Sequence, residues 1–314
     1  MKTSLVLCSV LAGANAFLPV APVLSTRAAV ASTSSATQQP MRMALNPELA
    51  ANFPRDFANI PKGTDYGEGK DAELNQASCL PFYEARMVYL EGQLMDSLKA
   101  VVANKKNPLF TTALIAGDCV ILDAIAKAGL LDKIQVVFVD TYFLFPESVQ
   151  FLHEIEEHYG FKAKVYHCVD CDTQQAFYDK YGEDYWMEDI DEYDKKCKVE
   201  PLMRALKEAD TEAWINGRRR DHGFERAALP IWEGGKFNPL AFWGFEDCFT
   251  YLRKHNVPYH PLHDVGFSSL GDMQSTRKVP LENWFSYGGE RSGRFEGMKN
   301  KDGSEKTECG IHSK

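Results

Sequence analysis

The chain has 314 residues, 45% of them hydrophobic and 25% charged, and carries a formal net charge of −9. That balance belongs to a globular protein rather than a disordered one. The acidity argues against a general nucleic-acid surface but leaves room for a local basic pocket. No apolar run of about 18 residues or more marks a membrane span. Eight cysteines (8, 79, 119, 168, 171, 197, 248 and 309) fall without even spacing. In a chain this long, that argues against a disulfide scaffold and for reduced thiols with individual roles.

The N-terminus opens with a short apolar core, "SLVLCSVLAGANA", which ends in the small-x-small signal Ala14-Asn15-Ala16. The following "FLPVAPVLSTRAAVASTSSATQQPMRMA" is rich in Ala, Ser and Thr, and no acid occurs before Glu48. Together they predict a cleaved leader over 1–47. The pair resembles the two-part plastid-targeting leaders of algae with secondary plastids, Phe17 matching their aromatic after the cut, with simple secretion as the alternative. Residues 48–83 are marked by Pro and Gly and read as an irregular arm.

From Glu84 the pattern turns helical, with Met87, Leu90, Leu94, Leu98 and Val101 on one stripe. "PLFTTALIAG" reads as a buried strand, and "DCVILDAIAKAGL" as a helix capped by Gly129. "KIQVVFVDT" is a second strand. "PESVQFLHEIEEHYG" is a helix with Pro146 at its start and Gly160 at its end, and "KAKVYHC" is a third strand. This alternation predicts an α/β fold with a mostly parallel sheet and helices on both faces. Ligands of such sheets bind beyond the C-terminal strand ends, which here means "LIAGDC" and "VDTYFLFPE". The second half runs from "KKCKVEPLMRALKEA" (helix) through "EAWING" (strand) to "FEDCFTYLRKHN" (helix). Residues 84–287 form the expected main domain, and the Gly- and charge-rich 288–314 is expected to be a mobile tail.

Four ordered stretches carry a family resemblance: "VFVDTYFLFPES", "WINGRRRDHGFERA", "YHPLHDVGFSSLGDMQSTRK" and "KTECGIH". Over about Leu109 to His312 the chain resembles the sulfonucleotide reductases, which reduce adenylyl sulfate or its 3′-phospho form to sulfite. The resemblance implies a Rossmann-like adenine-nucleotide alpha hydrolase (PP-loop) fold. Iron–sulfur members carry a Cys-Cys pair before "KVxPL" and a Cys-x-x-Cys before "TR". Here "YDKKCKVEPL" and "GDMQSTR" offer only Cys197, so no cluster is expected, because a cubane needs four thiolates. The usual serine-bearing phosphate loop is replaced by Ala116-Gly117-Asp118.

The substrate implied is a polyanion, and an acidic protein must gather cations locally to bind it. Arg219, Arg220 and Arg226, with Arg277 and Lys278, are the candidates; Arg218 reads as a solvated flank. Gly117 and Asp118 mark the phosphate loop, and Asp140, Thr141 and Phe145 mark the nucleotide pocket, Phe145 being equally readable as core. The resemblance turns Lys198 toward the anion and makes Cys309 the nucleophile. Cys309 would attack the sulfonate sulfur to give an S-sulfocysteine, which a second thiol resolves. No second redox motif suits that step, so an external thioredoxin or glutaredoxin is the expected reductant. His312 and Lys306 would favour the thiolate, and Arg291 and Arg294 would latch the tail. Cys119, Cys168 and Cys248 read as core, and "CVDC" (Cys168, Cys171) as a weak redox or metal motif. A homodimer is implied by the resemblance. Rival readings are an ATP pyrophosphatase of the same architecture and a nucleotide-binding redox sensor. The motifs favour phosphoadenylyl sulfate, whereas the leader favours adenylyl sulfate.

Overall fold

A computed structural model describes residues 70–312 in backbone and, from Glu84, in side chains except that of Phe224. The expected leader and the first part of the arm lie outside these residues. Helix α1 spans Lys70–Asn104, so the later part of the stretch expected to be irregular (70–83) is helical. Its apolar stripe, Met87, Leu90, Leu94, Leu98 and Val101, is buried as the spacing predicts.

Strand β1 (Leu109–Thr112) leads into α2 (Ala116–Lys127), β2 (Gln135–Val139), α3 (Pro146–Tyr159) and β3 (Lys164–Tyr166). Pro146 opens α3 and Gly160 closes it with φ +70°, the left-handed conformation glycine adopts without a Cβ clash. Three short helices follow, α4 (Gln174–Tyr181), α5 (Tyr185–Glu188) and α6 (Ile190–Asp194), which no apolar periodicity announced. Lys195–Val199 then forms a single π-turn that runs into α7 (Glu200–Ala209). Strand β4 (Trp214–Ile215), the β5 (Trp232–Glu233) and β6 (Lys236–Phe237) hairpin and α8 (Phe245–Lys254) complete the regular elements.

The sheet order is β3-β2-β1-β4-β6-β5, parallel except for the antiparallel edge β5. Alternate strand residues point to opposite faces. Phe110, Val136, Phe138 and Ile215 pack into the core under α1, α2, α3 and α8. Leu109, Val137 and Trp214 face the other way, onto Leu202 and Ala205 of α7. Helices therefore cover both faces, and the strands read as continuous apolar runs for that reason. After β3 the chain crosses to the far side of β1, which makes the β1–β4 boundary the topological switch point.

The C-terminal stretch differs from its expected looseness. Residues 288–312 lie against the body: Gly289, Glu290, Phe295 and Lys306 are buried. Main-chain bonds tie Arg277 N–H to Gly293 O at 2.8 Å and Phe295 N–H to Ser275 O at 2.9 Å. Two of its glycines, Gly289 and Gly293, serve close contacts. A Cβ on Gly289 or Gly293 would run into the backbone of Asn283 or Arg277.

Candidate active site

A cleft opens at the switch point. Its floor is made by Thr112, Val139, Thr141, Asn216, Gly217 and Arg218, at or just beyond the ends of β1, β2 and β4. The tail supplies the opposite wall with Glu290, Arg291, Arg294, Glu308, Cys309 and His312.

Asp118, in the first turn of α2, is buried. Its Oδ2 accepts the Ala113 N–H at 2.7 Å and faces Thr112 Oγ1 at 3.5 Å. Burial pushes this carboxyl up to about 7, although the Ala113 hydrogen bond works the other way. Its other oxygen lies beside Gly217, where a Cβ would come within 2.4 Å of it. Gly217 is thus required for close approach.

Lys198 projects from the π-turn, an element that often marks functional sites. Its ammonium sits 2.5 Å from Asp194 Oδ1 and 2.6 Å from Asp272 Oδ2. Burial opposes its charge, yet Asp272, Asp194 and the nearby Cys309 keep its pKa well above the ordinary value. Thr141 Oγ1 donates to Asp272 Oδ1 at 2.6 Å, and Tyr193 OH donates to Oδ2 at 3.1 Å. The tail joins this network through Lys306, 2.8 Å from Asp194 Oδ2. Lys306 is therefore spoken for by carboxylates rather than aimed at the thiol.

The arginine run divides in a way the sequence did not show. Arg218, read as a solvated flank, is only 7% exposed and lines the cleft. Its Nε donates to Asn216 Oδ1 (3.0 Å) and Asn238 Oδ1 (3.1 Å), and Nη2 pairs with Glu233 at 3.1 Å. Arg219 points the opposite way and is fully buried behind the wall. It pairs with Asp221 at 2.9 Å and with Glu290, and lies over the Phe245 ring. Its Nη1 has no hydrogen-bond partner among the described residues and would touch a Cβ on Gly117 at 3.1 Å. Gly117 thus makes room for Arg219 rather than forming the wall. Arg220 turns outward, 4.2 Å over the half-exposed Phe242 ring, with Nε on Leu229 O at 2.8 Å.

Other expected residues also sit off the wall. Asp140 caps the backbone of Tyr142, a non-glycine at φ +66°, through a 2.8 Å bond. Phe145 belongs to a small core with Leu262, Val265, Phe267 and Leu270, and Leu144 lines the cleft in its place. Arg277 is exposed and donates to Thr276 O at 3.1 Å. Lys278 lies over the Phe267 ring at 5.6 Å.

Arg226, Arg291 and Arg294 do meet at the cleft, and Cys309 is half-buried among them. Arg226 Nη2 donates to Glu308 Oε2 at 2.7 Å and Nη1 meets His222 Nδ1 at 2.9 Å. Arg291 Nη2 reaches Glu308 at 3.2 Å and Thr307 O at 3.0 Å. Burial and the neighbouring Arg291 bring the Arg226 guanidinium down to about 10, against Glu308. Arg294 lies on Gly271, where a Cβ would strike its guanidinium at 2.2 Å, and its Nε has no hydrogen-bond partner among the described residues. Lys198, Arg226 and Arg294 each interact electrostatically with Cys309, so the thiol sits among three cationic side chains. His222 is held near 4 by burial, with Glu290 opposing and Arg219 and Arg226 assisting. Burial and then Arg226, Arg218, Lys236 and Arg291 hold His312 well below its ordinary value. Its ring is neutral, so the expected imidazolium beside the thiol is replaced by guanidinium groups.

Several participants escaped the sequence reading: Arg218, Asp272, Glu290, His222 and Glu308. Four of them stood inside motifs already quoted: Arg218 and His222 in "WINGRRRDHGFERA", Asp272 in "GDM" and Glu308 in "ECG".

Residues 108–278 match the model of the phosphoadenosine phosphosulfate reductase domain. The chain belongs to this family. A probable phosphoadenosine phosphosulfate reductase of Schizosaccharomyces pombe is 34% identical over 242 residues, covering 74% of this chain and 86% of that one. A phosphoadenosine phosphosulfate reductase of Emericella nidulans is 35% identical over 74% of this chain and 75% of its own. The crystal structure of a phosphoadenylyl-sulfate (PAPS) reductase from Candida auris, a phosphate complex, aligns with TM-score 0.54 and 31% identity. It covers 61% of this chain and 96% of that one.

Within the sulfonucleotide reductase family, the cluster-bearing positions can now be judged by their donors. Asp272 and Ser275 stand where the Cys-x-x-Cys would be, and Asp272 is bound to Lys198. Cys197 is buried beside Cys168 and Cys171 among aromatic rings, and burial raises its thiol. This donor set does not fit a cubane. Among the described residues no cluster of His, Cys, Asp or Glu suits a metal ion, "CVDC" included, and no helix is long and apolar enough to cross a membrane.

Proposed function

We propose that the chain reduces phosphoadenylyl sulfate to sulfite and adenosine 3′,5′-bisphosphate with electrons from thiols, Cys309 being the nucleophile. The observation that carries this reading is the thiol at the cleft wall, facing Lys198, Arg226 and Arg294 at the switch point of the sheet. The Cys309 sulfur bonds to the sulfonate sulfur as the S–O bond to the nucleotide breaks, leaving S-sulfocysteine. The leaving phosphate departs into a field of guanidinium groups, which stabilise its charge. An external dithiol of the thioredoxin or glutaredoxin class then attacks the Cys309 sulfur and expels sulfite. Its second thiol resolves the mixed disulfide, so two thiols are oxidised as sulfur is reduced by two electrons.

Phosphoadenylyl sulfate is preferred because Arg218 adds a cation to the floor, and because relatives carry that substrate in their names. Adenylyl sulfate is the alternative. An ATP pyrophosphatase is disfavoured by a loop without a hydroxyl, Ala116-Gly117-Asp118. The reading includes plastid import through residues 1–47 and a homodimer, testable with a fluorescent leader fusion and light scattering. The decisive assay measures sulfite release from both nucleotides with one thioredoxin, for wild type and Cys309→Ser. Undiminished turnover by the variant overturns the mechanism; faster turnover of adenylyl sulfate overturns the substrate.

A further inference from the structure

The tail is held on both sides of Cys309, and the two grips differ in kind. Before the thiol, Glu308 binds Arg226 and Arg291, cations that any anion in the cleft also attracts. Beyond it, the His312 ring lies nearly parallel to the Trp214 indole, with centroids 5.0 Å apart and planes inclined by 16°. The His312 carbonyl accepts the Lys236 ammonium at 2.8 Å. Ile311 packs in the same apolar cluster as Trp214.

The platform under this second grip is rigid. Trp214 Nε1 donates to Thr111 Oγ1 on the neighbouring strand at 2.7 Å. Trp214 and Lys236 are direct partners in the parallel β4–β6 pair, and the Lys236 ammonium lies 5.6 Å above the indole. Between thiol and platform stands Gly310 at φ +74°, a conformation that costs a side-chain-bearing residue about 1 kcal/mol or more.

We infer that Trp214 and Lys236 are positioning residues for the reaction, docking the nucleophile's segment through His312, with Gly310 as the pivot. Ring stacking and a carbonyl contact are not what a phosphate or sulfonate replaces. When an anion takes Arg226 and Arg291 from Glu308, the segment therefore remains anchored and Cys309 stays near the reacting centre. Small losses of such placement are expensive in rate.

The inference rests on Cys309 being the nucleophile, so one readout is independent of turnover. In the full-length protein, the rate of Cys309 alkylation by iodoacetamide is followed by peptide mass spectrometry for wild type, Lys236→Met, Trp214→Leu and Trp214→Phe. Alkylation is expected to accelerate several-fold in Lys236→Met and Trp214→Leu, with Trp214→Phe close to wild type because the stack is kept. With phosphoadenylyl sulfate, kcat is expected to fall roughly ten- to a hundred-fold while KM moves by less than about two-fold. Unchanged alkylation in Lys236→Met, whose half-exposed strand position spares the core, overturns the docking role. Sulfite release persisting in Cys309→Ser overturns the assigned reaction instead and leaves the alkylation result to decide docking.

Discussion

The carboxylate of Glu308 accepts a hydrogen bond from Arg226 at 2.7 Å, one residue away from the thiol that shares its cleft. The residue preceding Cys309 thereby occupies charge that an anionic ligand needs. Glu308→Gln removes an internal competitor and a tail contact together. Binding of adenosine 3′,5′-bisphosphate, measured by calorimetry, is expected to tighten several-fold, while limited proteolysis of the ligand-free tail accelerates. Weaker or unchanged binding would show that the arginines are not the shared site.

Asp272 collects Lys198, Thr141 and Tyr193 in a buried network. Asp272→Asn leaves the Lys198 ammonium with Asp194 alone. Removing one partner of a buried pair commonly costs about 3–5 kcal/mol. Because Asp194 stays, a loss of about 2–3 kcal/mol is expected in the urea unfolding free energy. A loss below about 0.5 kcal/mol, the level of an unremarkable surface change, would contradict the burial of this pair.

Gly217→Ala introduces a Cβ 2.4 Å from Asp118 Oδ1. The strand end must shift, which is expected to cost about 1–3 kcal/mol and to depress kcat. Gly92→Ala supplies the control: it lies exposed within α1 with nothing among the described residues within 4 Å of the added methyl. That substitution is expected to stabilise the protein by about 0.5–1 kcal/mol. Thermal melts of the two variants should therefore move in opposite directions.

The pH dependence follows from Asp118, whose carboxyl is raised by burial from 3.8 to about 7. The folded protein holds a proton there that the unfolded chain releases near 4. Stability from this group is complete below that value and declines as pH rises to about 7. Glu246, also raised to about 7 by burial, acts in the same direction, and His222 in the opposite one. Comparing wild type with Asp118→Asn isolates the one carboxyl. The stability of the variant relative to wild type should grow between pH 4 and 7 and level off above; a constant difference would refute the assignment.

Much of the fold was legible because its signals are local. Strands β1 to β4 were readable from the sequence, and Pro146 and Gly160 marked the ends of α3. The β5–β6 hairpin, with two-residue strands, carries too few residues to show a period. In the site, chemistry-bearing types were legible but orientations were not. Arg218 and Arg219 are neighbours in an extended segment, so they face opposite sides, and sequence does not say which side is the cleft. That was decided by Phe245 and Glu290, which draw Arg219 inward from a distance along the chain. The composition of 288–312 suggested looseness because its many charges read as solvated, whereas Lys306 and Arg291 find partners within the protein.

The neutral ring of His312 has a thermodynamic corollary. Besides burial, four cations, Arg226, Arg218, Lys236 and Arg291, suppress its protonation. A bound polyanion cancels part of that field without altering the burial. By linkage, a ligand that raises the ring's pKa draws protons from solution below neutral pH, and its affinity there rises as the medium becomes more acidic. The heat of association then varies with the ionisation enthalpy of the buffer, and the slope of that variation counts the protons gained.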